Sequence, residues 1–292
     1  MIPLFKVVKS GVYSSIQDRG RFGFRKFGVP VSGPMDREAF ELGHKAIGNE
    51  VNETALELFL GGLSLEVLMD HRIIITGANL GAIIDGQEAP MWKTFSVKPG
   101  QILSFPKPIT GSIAYIIPEG GFSVKRFLGS KSSYYKGQIG DAINKETILY
   151  ANSMTQRQFN RGLLNEYTPS YEQEISIELF KSPHMKLFEK TSIERFLANP
   201  YTFRGGDRMG YFFNGQPLEF NTSSDIVSEA TQFGTVQVPT NGQPIILMAD
   251  SQTIGGYATI GTVVKEDLAK VAQLRNGGKV RFSYRSVNEN SK

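Results

Sequence analysis

SLEVLMDHRIIITGANLGAIIDG, residues 64–86, packs three apolar runs into a short length of chain and separates them with turn residues. Ser64–Leu68, Ile73–Ile75 and Ala82–Ile84 are rich in Val, Ile and Leu, which suit a pleated, half-buried backbone, and Asp85-Gly86 is a turn signal. The pattern continues outward. Pro99-Gly100 and Thr110-Gly111 mark further turns, and Ser112–Ile117 is another strand-like run. Ile175–Phe180, Gly234–Val238, Ile245–Met248 and Lys279–Phe282 repeat the pattern in the second half. Many short strands at this spacing predict a mainly β protein, a barrel or sandwich, and argue against alternating βαβ units.

A few short helices interrupt the strands. One is predicted from Gly33-Pro34, with proline at the first helical position, Met35, Ala39, Leu42 and Ala46 on one face, and Gly48-Asn49 closing it. A second is expected around Lys186 to Ala198, ended by Asn199-Pro200. A third is expected from about Glu266 to Leu274, stopped by Gly277-Gly278. Residues 150–174, polar and with little periodicity, read as a linker or long excursion between two halves. A faint internal echo joins those halves: Asp18-Arg19-Gly20-Arg21-Phe22-Gly23 resembles Asp207-Arg208-Met209-Gly210-Tyr211.

Composition narrows the function. The chain is 40% hydrophobic and 21% charged, as in an ordinary globular protein, and its net charge is only +4. No Lys/Arg block forms a stripe, which argues against nucleic acid as a partner. The absence of cysteine excludes disulfides, thiolate chemistry and Cys-ligated metals. The apolar runs are strand-length, so no membrane-spanning helix is expected, and lysines break up MIPLFKVVKSG, which is unlike a secretory leader. A cytoplasmic location is the expectation. His44, His71 and His184 lack metal-ligand spacing, and no HExxH, phosphate loop, GxGxxG after a strand or GxSxG elbow is present.

Two stretches concentrate polar groups. In residues 16–40, Gln17, Asp18, Arg19 and Arg21 stand on a glycine-bounded turn, a combination able to clamp a carboxylate, ureido or phosphate group. Val29–Pro34 then leads into a helix start that could receive an anion, although Asp36 in its first turn either caps the helix or faces a ligand. In residues 249–282, Gly255-Gly256 permits close backbone approach beside Asp250, Gln252, Thr253 and Tyr257. A glycine-rich barrel corner is the structural alternative.

The two stretches together resemble the biotin-dependent carboxyltransferase-like family, whose members include the C subunit of 5-oxoprolinase, allophanate hydrolase subunit 2 and the Kip-inhibitor antagonist. The resemblance rests on Gln17-Asp18-x-Gly20-Arg21-x-Gly23, Gly28–Arg37 and Gly48-Asn49 in the first half. In the second half it rests on Asp207–Tyr211, Gln237-Val238-Pro239, Gln252-Thr253-x-Gly255-Gly256-Tyr257, Asp267-Leu268 and Gln273-Leu274-Arg275. It implies two cyclophilin-like β-barrels, expected at residues 1–170 and 171–292 with strand exchange between the halves allowed. It also implies protein partners. One is a Kip-inhibitor-like protein; in the 5-oxoprolinase assembly a LamB/YcsF-type protein joins it, and the complex opens the 5-oxoproline lactam to glutamate with ATP. Two positions depart from the family pattern: Ser112 stands where an arginine is usual, and the loop after Ser133 is short.

The resemblance implies Asp18 and Asp36 as catalytic carboxylates. Gln17, Arg21, Asn79, Arg208, Gln252, Gly255, Gly256 and Tyr257 are implied as substrate-binding residues, with no metal ligand. No cofactor is expected on this chain, ATP being used by the complex. The alternative activities are a carboxyltransferase component served by biotin on a separate carrier, and a non-enzymic antagonist that sequesters a Kip-inhibitor-like protein.

Overall fold

The computed structural model describes all residues except 153–160, 222–224 and 287–292. It is mainly β, and the chain divides into two compact units. One comprises Met1–Phe24 with Val31–Tyr171, and the other Arg25–Pro30 with Glu172–Lys292. The linker expected at residues 150–174 falls partly outside the described residues; its remainder contains the end of a strand, at Ala151, and one 3-10 turn, Asn165–Tyr167.

The first unit carries its strands in a six-stranded and a five-stranded sheet. Ile2–Lys9 is a strand paired with Ile148–Ala151 and Ser64–Val67. In the five-stranded sheet, His71–Asn79 lies between Thr110–Pro118 and Thr94–Val97. Its Ile73, Ile74 and Ile75 are all fully buried, as a continuous apolar run should be when both faces of a sheet are covered. One cover is helix α1 (Arg37–Ile47), which packs on this strand and on Thr110–Pro118. Gly43 makes that approach possible, since a Cβ there would stand 2.4 Å from Ile117 Cδ1.

Helix α1 starts later than the Gly33-Pro34 signal suggests. Asp36 is the N-cap, its carboxylate accepting from Ala39 N at 2.9 Å, and Gly48 closes the helix at φ +82°. A side-chain acceptor satisfies an otherwise orphaned N–H, whereas proline only fixes φ, so the cap rather than Pro34 sets the boundary.

In the second unit seven strands close into a barrel, in the order Glu174–Lys181, Thr259–Val263, Thr235–Gln237, Ile245–Leu247, Gly210–Asn214, Tyr201–Gly206 and Lys279–Tyr284. The first and last run parallel, Glu174 opposite Lys279 through Leu179 opposite Tyr284. Strict alternation specifies the inner face: Ile175, Ile177 and Leu179 are buried from one strand, Val280 and Phe282 from the other. Aromatic rings fill the interior, with Phe196 stacked on Phe282 at 4.5 Å and Phe203 on Tyr211 at 4.5 Å. The expected second helix is divided into a 3-10 turn, Pro183–Leu187, and α2 (Lys190–Ala198), because Phe188 between them is buried against Phe220. The third shrinks to α3 (Leu268–Ala272) after a 3-10 turn. A two-stranded ribbon, Asp225–Ala230 with Ile254–Tyr257, completes the unit. Among the described residues no helix is long and apolar enough to cross a membrane.

Candidate functional site

The residues singled out in the sequence fall into two groups, one in each unit. In the first unit, strand Tyr13–Gln17 ends in a buried amide. Gln17 Oε1 accepts from Gly33 N at 3.1 Å, and its Nε2 donates to Ser15 Oγ at 2.9 Å and to the Ser133 carbonyl at 3.3 Å. The chain then turns at Asp18, whose carboxylate accepts from Gly20 N at 2.9 Å, Lys131 N at 2.6 Å, Ser130 Oγ at 2.6 Å and Ser132 Oγ at 2.7 Å. Arg21, fully buried, donates from Nη2 to the Ser132 carbonyl at 2.6 Å and from Nε to the Phe127 carbonyl at 3.2 Å. Gln17, Asp18 and Arg21 therefore converge on the loop from Phe127 to Ser133.

This geometry constrains the chemistry. Burial of Asp18 disfavours its charged form, but the hydrogen bonds from Lys131 N, Ser130, Ser132 and Gly20 N outweigh it and hold its pKa below the usual carboxylate value. A carboxylate that stays ionised and is filled with donors is a weak base near neutrality. Its geometry supports a positioning role, fixing the 130–132 loop, over the acid–base role expected from the sequence.

Asp36 is engaged at both oxygens, one by Ala39 N and the other by the Tyr171 hydroxyl at 3.1 Å, and its own N–H donates to the Tyr115 hydroxyl at 2.9 Å. The Tyr115 hydroxyl in turn donates to Glu57 at 2.7 Å. Burial first, then the nearby carboxylates, raises the pKa of both Tyr115 and Tyr171, so both phenols stay protonated as donors. Of the two readings left open for Asp36, the structure shows the cap. Asn79 closes its own turn, its side chain accepting from Gly81 N at 2.9 Å, and its backbone carbonyl accepts from Ile109 N at 2.7 Å across the sheet.

In the second unit Arg208 and Asp250 form a buried two-point ion pair, Nε to Oδ2 at 2.7 Å and Nη2 to Oδ1 at 3.0 Å. Gln252 Nε2 donates to Gln237 Oε1 at 3.0 Å. Gly255 lies against that amide, and Gly256 faces Ser228 with a built Cβ 3.3 Å from its hydroxyl. Tyr257 ends the ribbon and is 43% exposed. His184 joins from the barrel side. Its Nδ1 accepts from Thr259 N at 3.3 Å and lies 3.1 Å from Thr259 Oγ1, and its Nε2 stands 3.4 Å from Glu229.

Several residues of this network escape a reading of the sequence. Ser130 and Ser132 are visible there only as part of a small-residue run; Gln237 is visible as the first residue of the Gln237-Val238-Pro239 motif, but not its contact to Gln252. The Tyr115, Tyr171 and Glu57 contacts carry no local signal at all. Among the described residues no group of three His, Asp or Glu side chains is placed to hold a metal ion.

Residues 27–284 match the family described as carboxyltransferase domain, subdomain A and B. The chain is 36% identical to the 5-oxoprolinase C subunit of Haemophilus influenzae over 96% of its own length and 90% of that protein. It is 30% identical to the 5-oxoprolinase C subunit of Escherichia coli, covering 98% of this chain and 93% of that one. Among solved structures, the urea amidolyase of K. lactis superposes with a TM-score of 0.91 at 27% identity, over 98% of this chain and 19% of that much longer protein. The match spans both units and takes in the Arg208–Asp250 and Gln237–Gln252 pairs, so this chain belongs to the carboxyltransferase-domain family, subdomains A and B.

Proposed function

We propose that the chain is the C subunit of an ATP-dependent 5-oxoprolinase, working only with a Kip-inhibitor-like protein and a LamB/YcsF-type protein. The observation that carries this reading is the 36% identity, over nearly the full length of both chains, to a protein named as the C subunit of 5-oxoprolinase. Opening the lactam of 5-oxoproline requires that its carbonyl be oriented, that water be delivered and that charge on oxygen be stabilised. This chain offers hydrogen-bonding amides and glycine N–H groups for the first and last of these. Asp18 and Asp36, already holding several donors each, support the architecture of the polar turn and the start of α1. ATP would bind on another protein of the complex, since this sequence holds no phosphate loop.

The test is reconstitution. The two partner proteins with this chain should release glutamate from 5-oxoproline in an ATP-dependent manner, and omission of the chain should abolish release. A stable three-protein complex with no turnover of 5-oxoproline would overturn the substrate assignment. Weight would then pass to carboxyl transfer, the reading favoured by the likeness to urea amidolyase, or to partner sequestration.

A further inference from the structure

The turn from Phe127 to Ser130 is held more firmly than an exposed loop requires. Phe127 N donates to the Ser130 carbonyl at 2.7 Å, and Ser130 N donates back to the Phe127 carbonyl at 3.1 Å, which closes a two-residue hairpin tip. Its central residues, Leu128 and Gly129, both have positive φ, +48° and +79°. Glycine, asparagine and aspartate adopt that pattern easily, and a bulky leucine rarely does. The tip is strained, and its base is gripped from inside. Buried Arg21 donates from Nε to the Phe127 carbonyl at 3.2 Å, and Asp18 accepts from Ser130 Oγ and Lys131 N, each at 2.6 Å. Strain that the surrounding structure holds in place points to function.

The tip turns its chemistry outward. Lys125 and Arg126 are exposed, Phe127 is 52% exposed, and a Cβ built on Gly129 would meet nothing within 4 Å. Phe22, next to Arg21 in the chain, is 61% exposed, so each of the two segments that Arg21 joins turns a phenylalanine to solvent. Charge has one sign here. Residues 122–136 contain Lys125, Arg126, Lys131 and Lys136 and no aspartate or glutamate. Lys131 meets Glu53 at 3.5 Å, whereas Lys125 and Arg126 make no ion pair among the described residues.

We propose that the Phe127–Ser130 tip, with Arg126 beside it, is a docking knuckle for an acidic face of a partner protein. Arg126 pairs with a partner carboxylate, and Phe127 enters an apolar pocket beside it. Aromatic and arginine side chains are enriched where protein interfaces concentrate their energy, and a group fixed before binding loses little freedom on contact. That advantage needs a partner of defined shape. A fluid lipid surface gains nothing from a strained tip, and two adjacent cations fall short of the polybasic clusters that anionic membranes attract. The knuckle gives the Asp18–Arg21 network a role, holding a recognition element still. It deepens the reading of this chain as a subunit and rests on it.

The experiment measures the affinity of the full chain for the Kip-inhibitor-like and the LamB/YcsF-type protein, each by biolayer interferometry at low and at high salt. Phe127→Ala and Arg126→Glu change exposed side chains and leave the staple in place, since Arg21 is bonded to the Phe127 carbonyl. Each should weaken binding to one of the two proteins at least about tenfold, and Arg126→Glu should also flatten the salt dependence. Lys98→Glu, the same change of charge at another exposed position of this unit, should bind like the parent chain. Parental affinity in either knuckle variant would overturn the proposal. So would Arg126-dependent binding to phosphatidylserine vesicles in place of a protein. The two readings separate cleanly. Variants that assemble and support 5-oxoproline turnover like the parent chain remove the knuckle and keep the subunit. Knuckle-dependent binding in a complex that leaves 5-oxoproline intact keeps the knuckle and removes the substrate. A parent chain that binds neither protein removes both.

Discussion

The two Asp-Arg segments, Asp18-Arg19-Gly20 and Asp207-Arg208-Met209-Gly210, begin alike and end in opposite arrangements. Asp18 accepts from the N–H two residues ahead, Gly20, at 2.9 Å, and Asp207 accepts from Met209 N at 2.7 Å. Both are side-chain-closed turns, the local geometry that an aspartate two residues before a turning backbone favours. Beyond the turn they diverge. In the first unit the aspartate is the buried anchor, filled by three further donors from the 130–132 loop. In the second unit Asp207 is exposed, and the buried anchor is the neighbouring arginine, paired at two points with Asp250. The repeated letters encode a shared turn; distant residues decide which of the two charges the fold depends on.

The comparison breaks most visibly at Arg208. Its partner Asp250 is 4% exposed, so Arg208→Ala strands a buried carboxylate and should destabilise the second unit by about 3–5 kcal/mol. Arg208→Met combined with Asp250→Leu should recover most of that loss, because a buried pair is costly mainly when half of it is removed. Thermal melting gives the size, and hydrogen exchange should place the lost protection in residues 172–286. If the single variant melts like the parent protein, the pair is not the anchor and the contrast between the units fails.

Asp18→Asn should cost less, about 3 kcal/mol near neutral pH, since an amide can keep part of the network while losing its charge-assisted bonds. The sign with pH follows from linkage. The folded pKa of Asp18 lies below its ordinary 3.8, so its stabilisation is fully present above pH 3.8 and is lost as pH falls through the folded value. The parent protein and the Asp18→Asn variant should therefore differ at pH 7 and converge in strong acid. His44 acts in a separate window. Burial lowers its pKa from 6.5 to about 3, so stability falls as pH drops below 6.5 in both proteins alike. Denaturant midpoints measured from pH 7 to pH 2 test this; a gap between the two proteins that stays constant across the range would remove Asp18 as a charged anchor.

How far this contrast is legible in the sequence depends on the range of the interaction. The strands are, since alternation in Glu174–Lys181 and the continuous run Ile73–Ile75 are properties of neighbouring residues. So is the glycine that ends α1. The start of α1 lies a few residues from its expected place because Pro34 and Asp36 offer competing signals, and the cap takes precedence. The carboxylate contacts are not legible. Asp18 meets Ser130 and Ser132 across more than a hundred residues of chain, and Asp36 meets Tyr171 at a similar remove. No periodicity records such pairings. Gln237 is an intermediate case: an amide amid buried valines is visible in sequence, but its spare donor is visible only in the fold.

The smallest effect sharpens the comparison most. Asp207→Ala removes the shared turn contact to Met209 N, at an exposed position, and should cost about 0.5–1 kcal/mol. If the turn is the common element and the long-range contacts are what differ, this value estimates the turn's share of the Asp18 network as well. The remainder of the Asp18→Asn cost then belongs to Ser130, Lys131 and Ser132. A Ser130→Ala, Ser132→Ala protein carries an independent estimate of that remainder, because it leaves the turn to Gly20 untouched. Thermal melting of the three proteins under one buffer makes the check. A cost for Asp207→Ala as large as that for Asp18→Asn would mean that the turn itself carries the stability in both units. The echo in sequence would then be an echo in energetics, and the division between an aspartate anchor and an arginine anchor would be lost.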